Sequence, residues 1–375
     1  LSLPAHQQRN RPIIAFADHT SPPRQHVTGL TKKKHQITYI SHCVIAYNTV
    51  AMPPLLLQPH ASLSHAEALQ VAQQAPEFLR KNPASYSASP LLSLFSPPEN
   101  SKIWTIYENL LLACLRTGDN TTAHQCLERL VVRFGASDER IAALEGLVKE
   151  AEATNNSELE KVLKEYEAIL AEDNTNAPIA KRRIALLRAM GKTAESIEAL
   201  VQFLDFASND AEAWIELADL YLSQGLYAQA IYAQEEALVI APNAWNLHAH
   251  LGEILLMAAE SGSEGSSQSY LAESLKRFCR SVELSDDYLR GYYGLKRVTD
   301  KLLNRDSKAK KSSESEEITL PETSTIEKLN LAATKKLGDI VRNYDAKAPQ
   351  WQGYDAGEVA AARAYLSDSS QKVVR

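Results

Sequence analysis

The sequence predicts an all-α protein in which pairs of antiparallel helices stack into a solenoid, and three observations support this. Two consecutive units begin at Ala177 and Ala211, 34 residues apart, and place similar residue types at matching positions. Within each unit the apolar residues recur at three- and four-residue intervals, which is the spacing of one face of a helix. No strand–helix alternation and no run of about 18 apolar residues occurs, which argues against a parallel α/β fold and against a membrane-spanning helix.

The unit that begins at Ala211 shows why these residue types suit two crossing helices. Small residues at the predicted crossing let two helix backbones approach closely, and larger residues fill the surrounding space. A glycine lies in the turn, and a proline ends the unit because it cannot continue a helix. One pair cannot bury its apolar face alone, so neighbouring pairs must stack. The unit resembles a tetratricopeptide repeat (TPR), with signature residues Trp214, Leu217, Ala218, Tyr221, Gly225, Ala230, Ala237 and Pro242.

The same pattern extends to both sides of this unit. Gly191 in the preceding unit and Gly118 in an upstream pair occupy the turn position of Gly225. Downstream, Gly252 takes a crossing position, and an insertion of about ten residues at 261–270 precedes the second helix of that pair. The chain therefore contains about five helical pairs, more than the three or so that a solenoid needs. We predict a TPR-type solenoid with a right-handed superhelix.

The repeats and the segments after them divide the chain into three parts. The helical pairs occupy residues 99–303. Residues 304–325 are charged and Ser-rich and have no apolar anchors, which predicts a disordered loop. Residues 326–375 contain two more helical patterns. We expect these helices to cap the stack, because the terminal helices of a solenoid cover its exposed apolar end.

The first 98 residues differ from the repeats. Residues 52–98 are rich in Pro, Ser and Ala, with one predicted helix whose start carries a capping box formed by Ser64 and Glu67. Residues 1–51 hold six Lys or Arg and one acidic residue. Such a composition is found in mitochondrial presequences, but the Pro pairs and the lack of an amphipathic helical period argue against one here. We favour a spurious or disordered leader ahead of a start at Met52.

The four cysteines are widely spaced and form no C-x-x-C motif, a pattern that suits a reducing compartment. Cys114 and Cys126 fall on apolar helix faces, where we expect buried free thiols, and the other two are Cys43 and Cys279.

The sequence contains no motif that points to catalysis. The glycine-rich phosphate and dinucleotide loops, the G-x-S-x-G nucleophile motif and the H-E-x-x-H zinc motif are all missing. His248 and His250 are two residues apart on a predicted helix, so they face different directions and are poorly placed to share a metal. We therefore predict no enzymatic activity, cofactor, metal or small-molecule substrate.

The candidate functional surface is the concave side of the stack. In a TPR stack the first helix of each pair lines this surface, with positions 2, 5, 9 and 12 of each unit facing it. A mixture of apolar, acidic and basic side chains there suits a protein segment, and the acidic residues argue against binding of a terminal carboxylate. Four basic residues in a chain of net charge −6 are weak support for nucleic-acid or lipid binding. The candidate groove residues are Lys181, Arg182, Arg188, Glu212, Ile215, Asp219 and Leu222. The alternative is that these side chains are simply solvated.

Three segments carry a more specific resemblance. They are the I-W-x-I-Y-E opening at Ile103, the E-D-x-T-N-A-x-x-x-K-R-x-I-A linker at Glu172, and the E-A-W-x-E-L-A-x-L-Y unit at Glu212. In this order they resemble the family of subunit 2 of the endoplasmic reticulum (ER) membrane protein complex. The similarity covers about residues 100–300 and matches residues 1–98 poorly.

This resemblance implies a soluble, helical, non-catalytic scaffold on the cytosolic face of the ER. It would hold membrane-spanning subunits together for the insertion of tail-anchored and multi-pass proteins. Its partners would be other subunits of the complex, and its membrane association would come through them. The alternative is a soluble TPR adaptor or co-chaperone that binds a client peptide in its groove. If the chain is such a scaffold, we expect Trp214 to be a large buried aromatic, whose truncation costs about 3–5 kcal/mol and reduces assembly of the complex.

Overall fold

The computed structural model describes residues 54–82, 101–262, 267–306 and 320–373. These residues belong to the second of two compact units, Met52–Arg375, and the leader predicted at residues 1–51 lies outside them. The described residues form fourteen α-helices and no strand, which confirms the all-α prediction. The helices are α1 His65–Lys81, α2 Ser101–Thr117, α3 Asn120–Phe134, α4 Glu139–Glu152, α5 Asn156–Glu172, α6 Ala177–Ala189, α7 Thr193–Phe206, α8 Ala211–Ser223, α9 Tyr227–Ile240, α10 Trp245–Ser261, α11 Ser267–Leu284, α12 Leu289–Asp306, α13 Thr323–Asp345 and α14 Ala356–Val373.

The helices pack in chain order as successive pairs. The pairs are α2 with α3, α4 with α5, α6 with α7, α8 with α9, and α10 with α11. Each pair also contacts the first helix of the next one, so that α9 packs on α10 and α11 packs on α12. This order of contacts is that of a solenoid, in which every unit touches only its neighbours. The predicted TPR solenoid is therefore confirmed.

Small residues lie at the helix crossings, as the signature predicts. Ala218 on α8 is fully buried, and so are Ala230 and Ala237 on α9. Where serine replaces alanine, its hydroxyl needs a partner because the site is dry. The Ser274 hydroxyl on α11 therefore donates to the backbone oxygen of Gly252 on α10, at 2.8 Å.

The turn glycines adopt the conformation that their position demands. Gly118, Gly191 and Gly225 have φ values of 81°, 75° and 70°, in the left-handed region that favours glycine. Each ends the first helix of its pair and lets the chain reverse within a few residues. The shared conformation explains why the sequence repeats a glycine at this point.

Trp214 departs from the expectation of a buried aromatic. Its ring is only half-buried, and its Nε1 donates a hydrogen bond to the backbone oxygen of Ser208 at 2.9 Å. The ring also makes an edge-to-face contact with Tyr232, which is itself exposed. By contrast, Leu217 on the same helix is buried. Trp214 therefore covers the edge of the core, and we expect its truncation to cost less than that of a fully buried aromatic.

Two helix boundaries differ from those in the sequence analysis. Helix α11 begins at Ser267, so the second part of the 261–270 insertion is helical. Helix α12 runs to Asp306 and α13 begins at Thr323, so both extend into the segment predicted as a loop. The described residues do not include 263–266 or 307–319.

The first helix begins as its capping box predicts. The backbone N–H of Glu67 donates to the Ser64 hydroxyl, and the backbone N–H of Ser64 donates to the Glu67 carboxylate at 2.8 Å. This reciprocal pair satisfies two of the N–H groups that every helix start leaves open. The hydrogen bonds of the Glu67 carboxylate to Ser64 also hold its pKa below the usual value.

The segment before α1 lies against α2, which the sequence analysis missed. The Asn109 amide donates to the backbone oxygens of Leu56 and Gln58, at 2.9 and 3.1 Å. Arg116, two turns further along α2, donates to the backbone oxygen of Leu63 at 2.9 Å. Side chains of one repeat thus hold the main chain of the preceding segment, which contains the short 3-10 helices Pro54–Leu57 and His60–Ser62.

A buried polar cluster joins the last three helices. The Lys296 ammonium on α12 is almost fully buried and lies 2.6 Å from the Asp300 carboxylate. Asp300 also accepts hydrogen bonds from Asn330 on α13, at 2.7 Å, and from Tyr365 on α14, at 2.8 Å. A buried charge needs such partners, so the cluster specifies how α13 and α14 pack at the end of the stack.

Candidate partner-binding groove

The first helices of successive pairs form a row, here called the inner row because first helices line the concave side of a TPR stack. Contacts between carboxylates and basic side chains link each helix of the row to the next. At the N-terminal end Arg140 on α4 lies 2.6 Å from the Glu108 carboxylate on α2. At the next step Arg182 on α6 donates two hydrogen bonds to Glu150 on α4. The connection between neighbouring units is therefore partly electrostatic.

The link continues between α6 and α8, where most of the predicted groove residues lie. The Lys181 ammonium is 2.5 Å from the carboxylate of Asp210, the N-cap residue of α8, and 3.6 Å from that of Glu212. The Arg188 guanidinium donates to the Glu216 carboxylate at 3.1 Å. The structure thus brings Lys181 and Glu212 together and places Arg188 against the same neighbouring helix.

The row extends to the C-terminal end of the stack. Asp219 on α8 lies 3.3 Å from the Nε2 of His250 on α10. Glu260 near the end of α10 accepts from Arg297 on α12 at 3.2 Å and lies 2.7 Å from the Lys301 ammonium. Every step of the inner row from α2 to α12 therefore carries at least one contact between a carboxylate and a basic side chain, which at the α8–α10 step is a histidine.

Arg182 differs from the other predicted groove cations because it is not a surface residue. Its guanidinium is half-buried against Glu150, and Glu150 also accepts a hydrogen bond from the Tyr166 hydroxyl at 2.5 Å. Burial, with the nearby Glu150 carboxylate, raises the pKa of Tyr166. Arg182 therefore ties α6 to α4 and α5 rather than offering its charge to a partner.

Apolar side chains lie among these paired charges. Ile215 and Leu222 on α8 are half-buried, and Ile215 packs on the core cluster that contains Leu247. Further along, Met257 on α10 is exposed. Glu253, one turn before Met257, is largely withdrawn from water, and this burial raises its pKa. The inner surface therefore offers partly exposed apolar side chains between charges that are mostly paired within the chain.

The described part of the chain shows no constellation that points to another kind of site. Within it, no three His, Cys, Asp or Glu side chains cluster as metal ligands, and no helix is long and apolar enough to span a bilayer. The two histidines of α10 face different partners: His248 contacts the backbone oxygen of Pro242 and His250 contacts Gln234. The cysteines Cys114 and Cys126 are buried and unpaired, as predicted.

Comparison with known proteins identifies the family. A family model described as the EMC2 TPR-like repeat domain matches residues 127–269. TPR repeat protein oca3 of Schizosaccharomyces pombe is 35% identical over 259 residues, which are 66% of this chain and 88% of that protein. The chain belongs to the family of ER membrane protein complex subunit 2. This membership confirms the resemblance, and the residues matched by the family model include the Glu172 and Glu212 segments.

Other relatives match shorter stretches. ER membrane protein complex subunit 2 of Xenopus tropicalis is 33% identical over 193 residues, 52% of this chain and 61% of that protein. The Saccharomyces cerevisiae protein of the same name is 26% identical over 179 residues, 47% of this chain and 56% of that protein. The chain thus spans less than two thirds of the length of these two relatives. Among solved structures, the C-terminal part of a TPR repeat-containing protein from Cytophaga hutchinsonii covers 77% of this chain and 98% of its own, with 11% identity and a TM-score of 0.43.

Proposed function

We propose that this chain is a non-catalytic scaffold subunit of the ER membrane protein complex, on the cytosolic face of the ER. The observation that carries the proposal is family membership, since relatives in frog, slime mould and yeast are named as subunit 2 of that complex. In this role the chain holds membrane-spanning subunits together while the complex inserts tail-anchored and multi-pass proteins.

The inner surface supports a scaffold role because its charges are already matched. Lys181, Arg188 and Asp219 have partners within the stack, so they hold neighbouring units in one arrangement. A pre-organised surface binds with a smaller loss of conformational entropy than one that must first become ordered. We infer that the groove holds a segment of another subunit permanently, with contacts to Ile215 and Leu222.

In this proposal the chain associates with the membrane through its partner subunits. The described helices include none that could cross a bilayer, and the basic residues of α6 are paired with carboxylates rather than free to meet lipid headgroups. We therefore expect the chain to be released from microsomes when the complex is dismantled. Carbonate extraction at high pH should release it while the membrane-spanning subunits remain in the pellet.

The test is purification of the tagged full chain from microsomes in mild detergent, followed by quantitative mass spectrometry. Stoichiometric recovery of several multi-pass ER proteins is the expected result. Recovery of soluble chaperones without them would contradict the scaffold role and support the alternative, a TPR adaptor or co-chaperone. The same experiment on an Ile215→Glu variant tests the groove, with the exposed Leu331→Glu on α13 as the matched control. Equal recovery with both variants would exclude the groove as the contact surface.

A further inference from the structure

The outer side of the stack contains a face whose charge differs from that of its neighbours. The second helices α7 and α9 together carry five carboxylates and no Lys, Arg or His. The second helices on either side do carry cations: α5 has two lysines, and α11 has a lysine and two arginines. Among these four second helices, only α7 and α9, in two consecutive units, lack Lys, Arg and His.

Some of these carboxylates are neutralised at the borders of the face, and others are not. Glu195 lies 3.8 Å from the Lys192 ammonium, and Glu235 lies 3.3 Å from the Arg277 guanidinium of α11. Within the described residues, no cation is within ion-pair distance of Glu198, Asp205 or Glu236, the other three. Lys192, the residue before α7, also lies 2.7 Å from Glu160 of α5. Helices α7 and α9 both pack on α8, so these two second helices flank the same first helix.

Exposed apolar and aromatic side chains lie beside these three acids, which have no cation partner among the residues that the structure describes. Val201 and Phe206 on α7 are exposed, and on α9 Tyr232 is 57% exposed and Val239 is 75% exposed. Tyr232 and Val239 are seven residues apart, so they share one face of α9. Next to Phe206 a cleft of about 470 Å³ opens between α5, α6 and α7. Leu170 forms another of its walls, and so does Arg183 of α6, whose guanidinium lies 4.0 Å from the Glu167 carboxylate of α5. The outer face therefore combines exposed apolar groups, an indentation and unmatched negative charge.

We propose that this acidic outer face, formed by Glu198, Val201, Asp205 and Phe206 of α7 and by Tyr232, Glu236 and Val239 of α9, docks a basic amphipathic helix of another protein. Covering exposed apolar groups lowers the free energy of the complex. The carboxylates between these groups select an occupant with Lys or Arg at helical spacing. The same carboxylates would repel the anionic surfaces of a lipid bilayer or a nucleic acid. The occupant is therefore a protein helix with an apolar stripe flanked by cations.

This docking face is separate from the groove. It lies on second helices, whereas the groove residues lie on the first helices α6 and α8. Loss of the groove function and loss of outer-face binding can therefore be measured independently. The inference stands on the charge and exposure of α7 and α9, and it holds whichever partner occupies the groove.

Site-specific photo-crosslinking of the full chain in cells tests the proposal. We would place p-benzoylphenylalanine at Tyr232 or at Phe206, with Leu331 on α13, itself 70% exposed, as the control position. The expected result is that Tyr232 and Phe206 capture the same partner peptide, which carries apolar residues and Lys or Arg at helical spacing, and that Leu331 does not. Capture of lipid, capture of an acidic peptide, or no capture above the level of Leu331 would overturn the proposal.

A charge-reversal pair provides a second readout. The synthetic captured peptide is titrated against the full chain carrying Glu198→Lys and Asp205→Lys, both exposed positions of α7. The control variant carries Glu128→Lys and Glu327→Lys, exposed acids of α3 and α13, and so has the same net charge. We expect the α7 variant to bind at least tenfold more weakly and the control to bind as the parent does. Equal weakening by both variants would show a non-specific charge effect and would overturn the proposal, provided that circular dichroism shows unchanged helicity.

Discussion

Arg182 on α6 and Glu150 on α4 join two repeat units through a pair of hydrogen bonds in a half-buried setting. The guanidinium Nε lies 3.1 Å from one carboxylate oxygen, and a terminal nitrogen donates to the other. Tyr166 of α5 donates to the same carboxylate. One glutamate thus receives donors from the two helices that pack around it, and the same kind of link recurs along the inner row.

We predict that Glu150→Gln destabilises the fold by about 1.5–3 kcal/mol, the range for hydrogen bonds to charged groups. The variant leaves a half-buried guanidinium without its counter-charge. The free energy of unfolding in a denaturant titration measures the effect. The exposed Glu128→Gln on α3 is the control and should change it by less than about 0.5 kcal/mol.

The double variant Glu150→Gln with Arg182→Met shows whether the two residues act as a pair. Removing both partners should cost less than the sum of the two single changes, because neither charge is then left unmatched. Additive losses would contradict a direct interaction between them.

Gly294 on α12 is predicted to be intolerant of alanine. A Cβ there would lie 1.9 Å from the Phe278 ring of α11, so the two helices would have to separate. Such overpacking typically costs about 1–3 kcal/mol. Gly338 on α13 is the matched control, since a Cβ there meets no atom within 4 Å. Gly338→Ala should stabilise the protein by about 0.5–1 kcal/mol, because alanine is the better helix former, and thermal unfolding of both variants gives the comparison.

We predict that the lowered pKa of His248 makes the stability of the fold depend on pH. Burial, together with the nearby Arg277 and Arg280, lowers its pKa in the folded protein, while its hydrogen bond to Pro242 partly offsets this. As pH falls through the unfolded value near 6.5, the unfolded chain takes up the proton first, and folded stability decreases. Each unit of difference in pKa contributes about 1.4 kcal/mol.

A His248→Gln variant isolates this contribution. The difference in the free energy of unfolding between pH 7 and pH 5 should be smaller in the variant than in the parent. A variant as pH-sensitive as the parent would show that His248 is not the group responsible.

Leu217→Ala is predicted to destabilise the stack more than Trp214→Ala. Leu217 is buried, and truncation of a buried leucine costs about 2–5 kcal/mol. Trp214 is half-buried, so its loss should cost less than the about 3–5 kcal/mol of a fully buried aromatic. Denaturant titrations of the two variants rank them, and the reverse order would contradict the packing described for α8.

Local features of the sequence predicted much of the fold. The alanines at the crossing and the glycines at the turns each satisfy a constraint that arises within one helical pair. The capping box at Ser64 is local in the same way, because both of its partners lie in one turn. Such features can be recognised without knowing which units lie side by side.

The features that were missed depend on contacts between distant segments. Lys181 and Arg182 were predicted to line the groove, but the sequence did not reveal their partners: Arg182 pairs with Glu150 and Lys181 with Asp210 of neighbouring units. The buried Lys296 cluster likewise needs Asn330 and Tyr365 from two later helices. The half-buried state of Trp214 follows from the edge position of its ring, which helical periodicity alone does not reveal. A spacing of 28 to 32 residues between opposite charges on first helices is a signal that could have indicated the inner ion pairs.

A scaffold whose groove holds another subunit must show that subunit against α8 in the assembled complex. The most direct test is an electron cryo-microscopy map of the complex purified through the tagged full chain. We predict a helical stack outside the membrane on the cytosolic side, with density of a second polypeptide against Ile215 and Leu222 of α8. Particles that lack the stack, or a stack with no second polypeptide along α8, would contradict the account.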